Sequence, residues 1–223
     1  GSDDHTVQIW DPTIGSTFYT YRGHSDRINS VAWSSDGTRI ASGSDDATVQ
    51  IWKIGSDKPI FTYPGHAGSV TAVAWSPNNT YVASTAVVEN SVAVWDAHTG
   101  ALLTHHPHTN TVLTIAWSSD GTRIASGGDD NMVHVWNPNT GYLIYANTGH
   151  SNIVHTIEWS LDNTYLASGS YDKTVQVLKA STGDKTYTYH NHSNWVFSIA
   201  WLKDGTHIVS GSYDKTIQIW KAI

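Results

Sequence analysis

The sequence predicts an all-β fold in which small repeated sheets bury one another, and three observations carry that expectation. Tryptophan recurs with a fixed period: Trp33, Trp75, Trp117, Trp159 and Trp201 are spaced by 42 residues. A second series, Trp10, Trp52, Trp95, Trp136, Leu178 and Trp220, follows at intervals of 42, 43, 41, 42 and 42. Each period holds short runs of β-prone residues separated by Asp-Gly and other Gly-containing turns, and no window sustains a helical period. Self-similarity at this spacing denotes a repeat architecture.

The elements of a period follow from local pattern. Residues 28–33 (INSVAW) place apolar side chains on alternate positions and lead into the turn Ser35-Asp36-Gly37, which predicts a first strand and a tight hairpin. Residues 38–43 form a second strand ending at the Asp45-Asp46 turn. Residues 48–52 (TVQIW) alternate Val and Ile with a polar residue and form the third. The fourth is shorter and more polar, like residues 18–21 (FYTY), and leads into Gly23-His24. Counting along the chain gives five first, five second, six third and five fourth strands, 21 in all. A lone four-stranded sheet exposes both faces; stacking similar sheets, radially as a propeller or linearly as a solenoid, covers them.

Composition bounds the partners. The 223 residues include 12 Lys and Arg against 19 Asp and Glu, a net charge of −7 with no basic stripe, so neither nucleic acid nor an anionic membrane surface is an expected partner. With 39% apolar residues and no cysteine, the chain has material for a core but none for disulfides or thiolate sites. No run approaches 18 apolar residues and no basic stretch precedes an apolar one, so neither a membrane span nor a signal peptide is expected. A cytoplasmic location is the expectation.

A pattern of Gly-His before the first strand, a Ser-Asp-Gly type hairpin, and an Asp followed by a Trp-terminated strand recurs through five units in register, with Pro107 and Asn191 in place of the Gly in the third and fifth. In these features the whole chain resembles the WD40-repeat family. The resemblance implies a β-propeller of four-stranded antiparallel blades, here a single domain over 1–223 with units starting near 28, 70, 112, 154 and 196 and a partial unit over 1–27. It also implies a structural relay of His, Ser, Asp and Trp in each blade. In the first complete unit these are His24, Ser42, Asp46 and Trp52. The second offers His66, Ser84 and Trp95, with Asn90 in the acid's place beside a one-residue insertion. The third offers His108, Ser126, Asp130 and Trp136. The fourth has His150, Ser168 and Asp172, but Leu178 replaces Trp, which predicts a looser blade. The fifth has His192, Ser210, Asp214 and Trp220.

Gly1-Ser2-Asp3-Asp4 duplicates Gly43-Ser44-Asp45-Asp46, and HTVQIW near the start matches KTIQIW near the end. Rings of the resembling family most often have seven blades, so the expectation is a piece of a larger propeller: about five four-stranded blades plus one duplicated strand. Three closures fit. Residues 18–21 complete the last sheet, several chains share blades, or a neighbour caps the ends. Self-association or strand exchange is expected because unpaired edges template pairing.

No cofactor, metal or catalytic residue is expected. The segment His105-His106-Pro107-His108, with His98 nearby, has the look of a chelating cluster, but His108 fills the position that His24, His66, His150 and His192 fill elsewhere. A Ser, His and Asp trio repeated in nearly every unit serves architecture, since catalysis needs one site. No phosphate-cradling loop is present, and the paired aspartates lack calcium-loop spacing.

Function is expected where the units differ. The resemblance places the residues three and five after the structural His, and the one before the relay acid, on the top face. Units one to three then present small polar and acidic residues, Asp45 among them, apart from Arg27 and Leu113, with Glu89 less certain beside the insertion. Units four and five present Ile153, His155, Tyr171, Trp195, Phe197 and Tyr213, and Trp195 is a tryptophan outside both series. The remaining tryptophans are expected to fill space between blades. A patch of this kind marks a protein- or peptide-binding surface on a non-catalytic scaffold. The alternative is an assembly element whose blades complete an oligomeric or larger ring.

Overall fold

The structure, a computed structural model, describes residues 1–223. It contains 21 strands and forms two compact units, residues 1–105 and 106–223. No helix is long and apolar enough to cross a membrane.

The first unit begins with a two-stranded sheet, β1 (Val7–Trp10) and β2 (Thr17–Tyr21). A four-stranded sheet follows in the order β3 (Ile28–Trp33), β4 (Ile40–Ser44), β5 (Val49–Trp52) and β6 (Phe61–Tyr63). Next come β7 (Val70–Trp75), β8 (Tyr81–Ala86), β9 (Ser91–Asp96) and β10 (Leu102–Pro107), the last running across the boundary. The second unit holds β11 (Val112–Trp117), β12 (Ile124–Gly128), β13 (Val133–Trp136) and β14 (Leu143–Asn147) in one sheet. It also holds β15 (Val154–Trp159), β16 (Tyr165–Ser170), β17 (Val175–Lys179) and β18 (Lys185–Tyr189) in another. A three-stranded sheet of β19 (Val196–Trp201), β20 (His207–Ser212) and β21 (Ile217–Lys221) ends the chain.

The strand count matches the sequence pattern, but the strands are distributed otherwise. Four sheets are complete, flanked by one of two strands and one of three. Residues 18–21 do not complete the last sheet; β2 pairs with β1, with Val7 opposite Tyr21. The six-residue connection between them makes this local pairing the less costly closure.

Local chemistry sets each hairpin. Between β3 and β4, Ser34 Oγ donates to Asp36 at 2.6 Å, the Thr38 amide donates to the same carboxylate at 2.9 Å, and Gly37 takes φ +68°, where a Cβ is disfavoured. Asn79 and Asn163 take that backbone region in two other units, as asparagine tolerates. A register shift recurs at the start of every first strand, as between Ile28 and Ser30 and between Val154 and Thr156. It turns the strand so that one residue of the alternation is skipped.

Neighbouring sheets within a unit bury one another. One core cluster joins Ala41, Val49 and Ile51 of β4 and β5 to Val70, Val73 and Trp75 of β7. Its counterpart in the second unit joins Ala125, Val133 and Val135 to Val154, Ile157 and Trp159. Trp75 Nε1 donates to the Ala32 carbonyl at 3.2 Å, and Trp159 Nε1 to that of Ala116 at 3.0 Å, with the Arg39 and Arg123 guanidinium carbons 4.7 Å over the respective rings. The expectation that period-spaced tryptophans fill inter-blade space needs one correction. Trp33 is 49% exposed because the sheet preceding β3 has only β1 and β2 and covers less of it, and Trp10, on β1 of that two-stranded sheet, is 59% exposed.

Close approach of the sheets explains a recurring glycine. A Cβ on Gly127 falls 2.6 Å from Val154 Cγ1, whereas one on Gly211 meets nothing within 4 Å. Gly127→Ala is therefore expected to lower stability by about 1–3 kcal/mol, and Gly211→Ala by less than about 0.5 kcal/mol. Urea unfolding of both variants followed by circular dichroism checks this; equal midpoints would refute the packing account.

Candidate functional site

Two sets of side chains are common to function and scaffold, and the repeated set frames the other. In the first complete unit, His24 Nδ1 meets Asp46 Oδ2 at 2.8 Å, His24 Nε2 meets Ser42 Oγ at 2.7 Å, and Trp52 Nε1 donates to Ser42 Oγ at 3.1 Å. The Thr48 hydroxyl and the Ser25 amide also donate to Asp46. The third unit repeats the chain with His108, Asp130, Ser126 and Trp136, and the fifth with His192, Asp214, Ser210 and Trp220. All five serine side chains are buried, so each hydroxyl is held between imidazole and indole or core.

The second unit differs from the expectation. Glu89, and not Asn90, supplies the acid: its Oε2 lies 2.8 Å from His66 Nδ1, and its Oε1 accepts the Ala67 amide at 2.6 Å. The insertion moves the turn, with Val88 and Asn90 both at positive φ, and the extra methylene of Glu spans the displacement. Val87, not Glu89, then makes the loop bond to the Ser69 carbonyl. Ser84 Oγ still binds His66 Nε2 at 2.7 Å and accepts Trp95 Nε1 at 2.9 Å. In the fourth unit Leu178 is fully buried in the indole's place, while His150 keeps Asp172 and Ser168, each at 2.8 Å.

A partner of the relay escaped the sequence reading. Gln50 Oε1 accepts the Tyr21 hydroxyl at 2.7 Å, and Gln218 Oε1 accepts that of Tyr189 at 2.5 Å. The signal was the repeated Gln of the third strand. In the third unit this position is His134, a buried imidazole with no hydrogen bond to either nitrogen. Burial, reinforced by His108, pushes its pKa down to about 4 against the pull of Asp130.

The unshared set gathers in the fourth and fifth repeats, within the compact unit of residues 106–223. The Tyr171 amide donates to the Ile153 carbonyl and the Tyr213 amide to that of Trp195, both at 2.9 Å. This bond ties the residue before the relay acid to the third residue after the structural His. Five rings then form one cluster. His155 stacks on Tyr171 at 5.3 Å between centroids, and Tyr171 on Trp195 at 4.5 Å and 10°. Phe197 stands edge-on to His155 at 4.9 Å and to Tyr171 at 5.5 Å, and Tyr213 lies 5.9 Å from both Trp195 and Phe197. His155 Nδ1 bonds the Phe197 carbonyl at 3.1 Å. Trp195 remains 41% exposed and Tyr213 62%.

Charge at this cluster is modest. Burial, which disfavours the charged ring, lowers the His155 pKa despite its bond to the Phe197 carbonyl. Burial, then the nearby Asp129 carboxylate, raises that of Tyr171. Ile153 joins through its carbonyl rather than through a ring contact. Arg27 and Asp45 belong to the first unit, where Arg27 Nε pairs with Asp3 at 2.9 Å and Asp45 accepts Asn29 Nδ2 at 2.6 Å.

Four-stranded antiparallel sheets, each pinned by one His–Ser–acid network, define a repeat protein of propeller-blade type. The family model described as "WDR90, 4th beta-propeller" matches residues 27–159, more than half of the chain. The model described as "WD domain, G-beta repeat" matches residues 141–178 and 183–221. The chain belongs to the WD40-repeat β-propeller family. Over 34 residues it is 53% identical to the peroxisomal targeting signal 2 receptors of Mus musculus and Homo sapiens, a stretch covering 15% of this chain and 11% and 10% of theirs. The chain thus spans about a tenth of the length of these curated relatives.

Proposed function

We propose that this chain is a non-catalytic interaction scaffold that docks a protein or peptide segment on the aromatic cluster of its fourth and fifth repeats. The observation that carries the reading is the five-ring cluster with Trp195 and Tyr213 open to solvent, inside a frame that otherwise repeats. Exposed contiguous aromatic surface is where binding energy concentrates, because large rigid rings bury much area at small entropic cost. Membership of a family whose repeats typically carry protein interactions supports it, as does the short likeness to proteins named as receptors for a targeting signal. The burial of every relay hydroxyl supports a structural role for the repeated trio, since a nucleophile must reach its substrate.

The test needs no known partner. Peptides are selected from a displayed random library against the whole chain, and their affinity is measured for the parent and for Trp195→Ala. The expected loss is about 2 kcal/mol or more, roughly 30-fold. Selected peptides that bind both proteins equally would remove this surface from consideration.

One observation favours the assembly reading as well. Ile217 and Ile219 on β21 are 77% and 65% exposed, on a strand whose outer edge pairs with no other in its sheet. Under that reading Ile219→Lys shifts light scattering toward the 24.4 kDa monomer. A parent that is already monomeric at high concentration would dismiss it.

A further inference from the structure

The third unit departs from the others at two neighbouring positions, and both departures leave binding capacity unused around one point. In the first, fourth and fifth units, a threonine two residues after the relay acid donates its hydroxyl to the carboxylate: Thr48 to Asp46, Thr174 to Asp172, Thr216 to Asp214. Met132 stands there in the third unit and donates only its amide to Asp130, at 3.1 Å. Two residues further, those units carry Gln50, Gln176 and Gln218, whereas the third carries His134.

The His134 side chain is 9% exposed and neither ring nitrogen has a hydrogen-bond partner. Its Nε2 lies 3.7 Å from Asp130 Oδ2, and its ring stacks on that of His108 with centroids 4.0 Å apart. His108 Nδ1 is 2.8 Å from the same carboxylate oxygen. One ligand atom from each of His108, Asp130 and His134 thus falls within 4.8 Å of the others. A buried imidazole with no partner at either nitrogen is costly, and an ion is one of the few things that relieves it.

We propose that His108, Asp130 and His134 bind a divalent transition-metal ion of the zinc class. The donor set is two imidazoles and a carboxylate, which suits borderline ions such as Zn(II) over the hard Mg(II) and Ca(II). Tetrahedral ligands at about 2.0–2.2 Å from an ion stand roughly 3.3–3.5 Å apart, so the observed 2.8 and 3.7 Å separations need small side-chain adjustments. His108 would ligate through Nδ1 as the neutral Nε2–H tautomer: the proton between Nδ1 and Asp130 leaves that position, and Nε2–H donates to Ser126 Oγ, 2.7 Å away, which fixes the ring. His134, the most exposed of the three side chains, lines the approach. The sequence reading dismissed metal from the run 105–108 because His108 has a structural duty. It did not anticipate His134 returning over His108 from the third strand.

The test uses the full 223-residue chain, stripped with EDTA and titrated with ZnCl2 by calorimetry. The expected result is a single site whose affinity falls at least about 10-fold in His134→Gln, the residue that three other units accommodate at this position. His98→Gln/His190→Gln, which removes two exposed imidazoles, should leave that site unchanged. Co(II) provides a second readout: tetrahedral visible absorption bands that appear in the parent and vanish in Asp130→Asn. Absence of saturable binding would overturn the proposal. So would binding that survives His134→Gln, which would place the ion on surface histidines.

Discussion

Replacing Trp95 with alanine is expected to destabilise the compact unit of residues 1–105 by about 3–5 kcal/mol. Trp95 is fully buried, stacks on Tyr63 with centroids 4.5 Å apart and planes 3° apart, and touches Phe61 at 6.0 Å. Its loss opens a cavity between rings that cannot collapse without moving strands. It also removes the indole donor from Ser84, which continues to hold His66. Trp95→Leu should cost clearly less, because Leu178 fills the equivalent place in the fourth unit while the His150 bonds to Ser168 and Asp172 persist. Urea unfolding monitored by circular dichroism separates the two variants. A loss below about 1 kcal/mol for alanine, or equal losses for both, would show that the indole is not a keystone of the blade.

The second large effect is on acid stability. Burial works to raise the pKa of Asp172, but hydrogen bonds from His150 and Thr174 and the His150 charge outweigh it and hold the carboxyl far below the usual range. Asp46 is lowered by the same balance with His24 and Thr48. Asp214 is lowered chiefly by Thr216, then by His192. Each depressed carboxyl contributes stability that is full above its unfolded pKa, near 4, and is lost as pH falls through the folded value. The native state should therefore weaken steeply below about pH 4. Asp172→Asn is expected to cost about 1.5–3 kcal/mol at pH 7 and to flatten the acid limb by one group. Urea midpoints between about pH 7 and 3 measure both quantities. An acid limb as steep in the variant as in the parent would assign the sensitivity elsewhere.

Much of this was legible in the sequence. The 42-residue period placed the strands, and the resemblance to the WD40 family, carried onto the recurring His, Ser and Asp, implied the pairings seen in the first, third and fifth units. What failed there failed for reasons of reach. Asn90 aligned with the acid by position, yet Glu89 makes the bond, because a one-residue insertion reshapes a turn and a longer side chain takes up the difference. Alignment also gave Trp33 the environment of Trp75. Burial depends on the sheet opposite, and β1 and β2 leave Trp33 half exposed.

The surface shows the same division. Offsets taken from the family resemblance nominated His155, Tyr171, Trp195, Phe197 and Tyr213 one at a time; their stacking into one cluster depends on the loop bonds and on β15 and β19 lying side by side. Periodic letters determine periodic structure because each repeat faces the same neighbours, so strands and turns followed from the chain alone, and the shared hydrogen bonds from its resemblance to a family. Where one repeat departs from the rest, as at Glu89 or His134, the outcome turned on distances between side chains remote in sequence, and only the packed sheets set those.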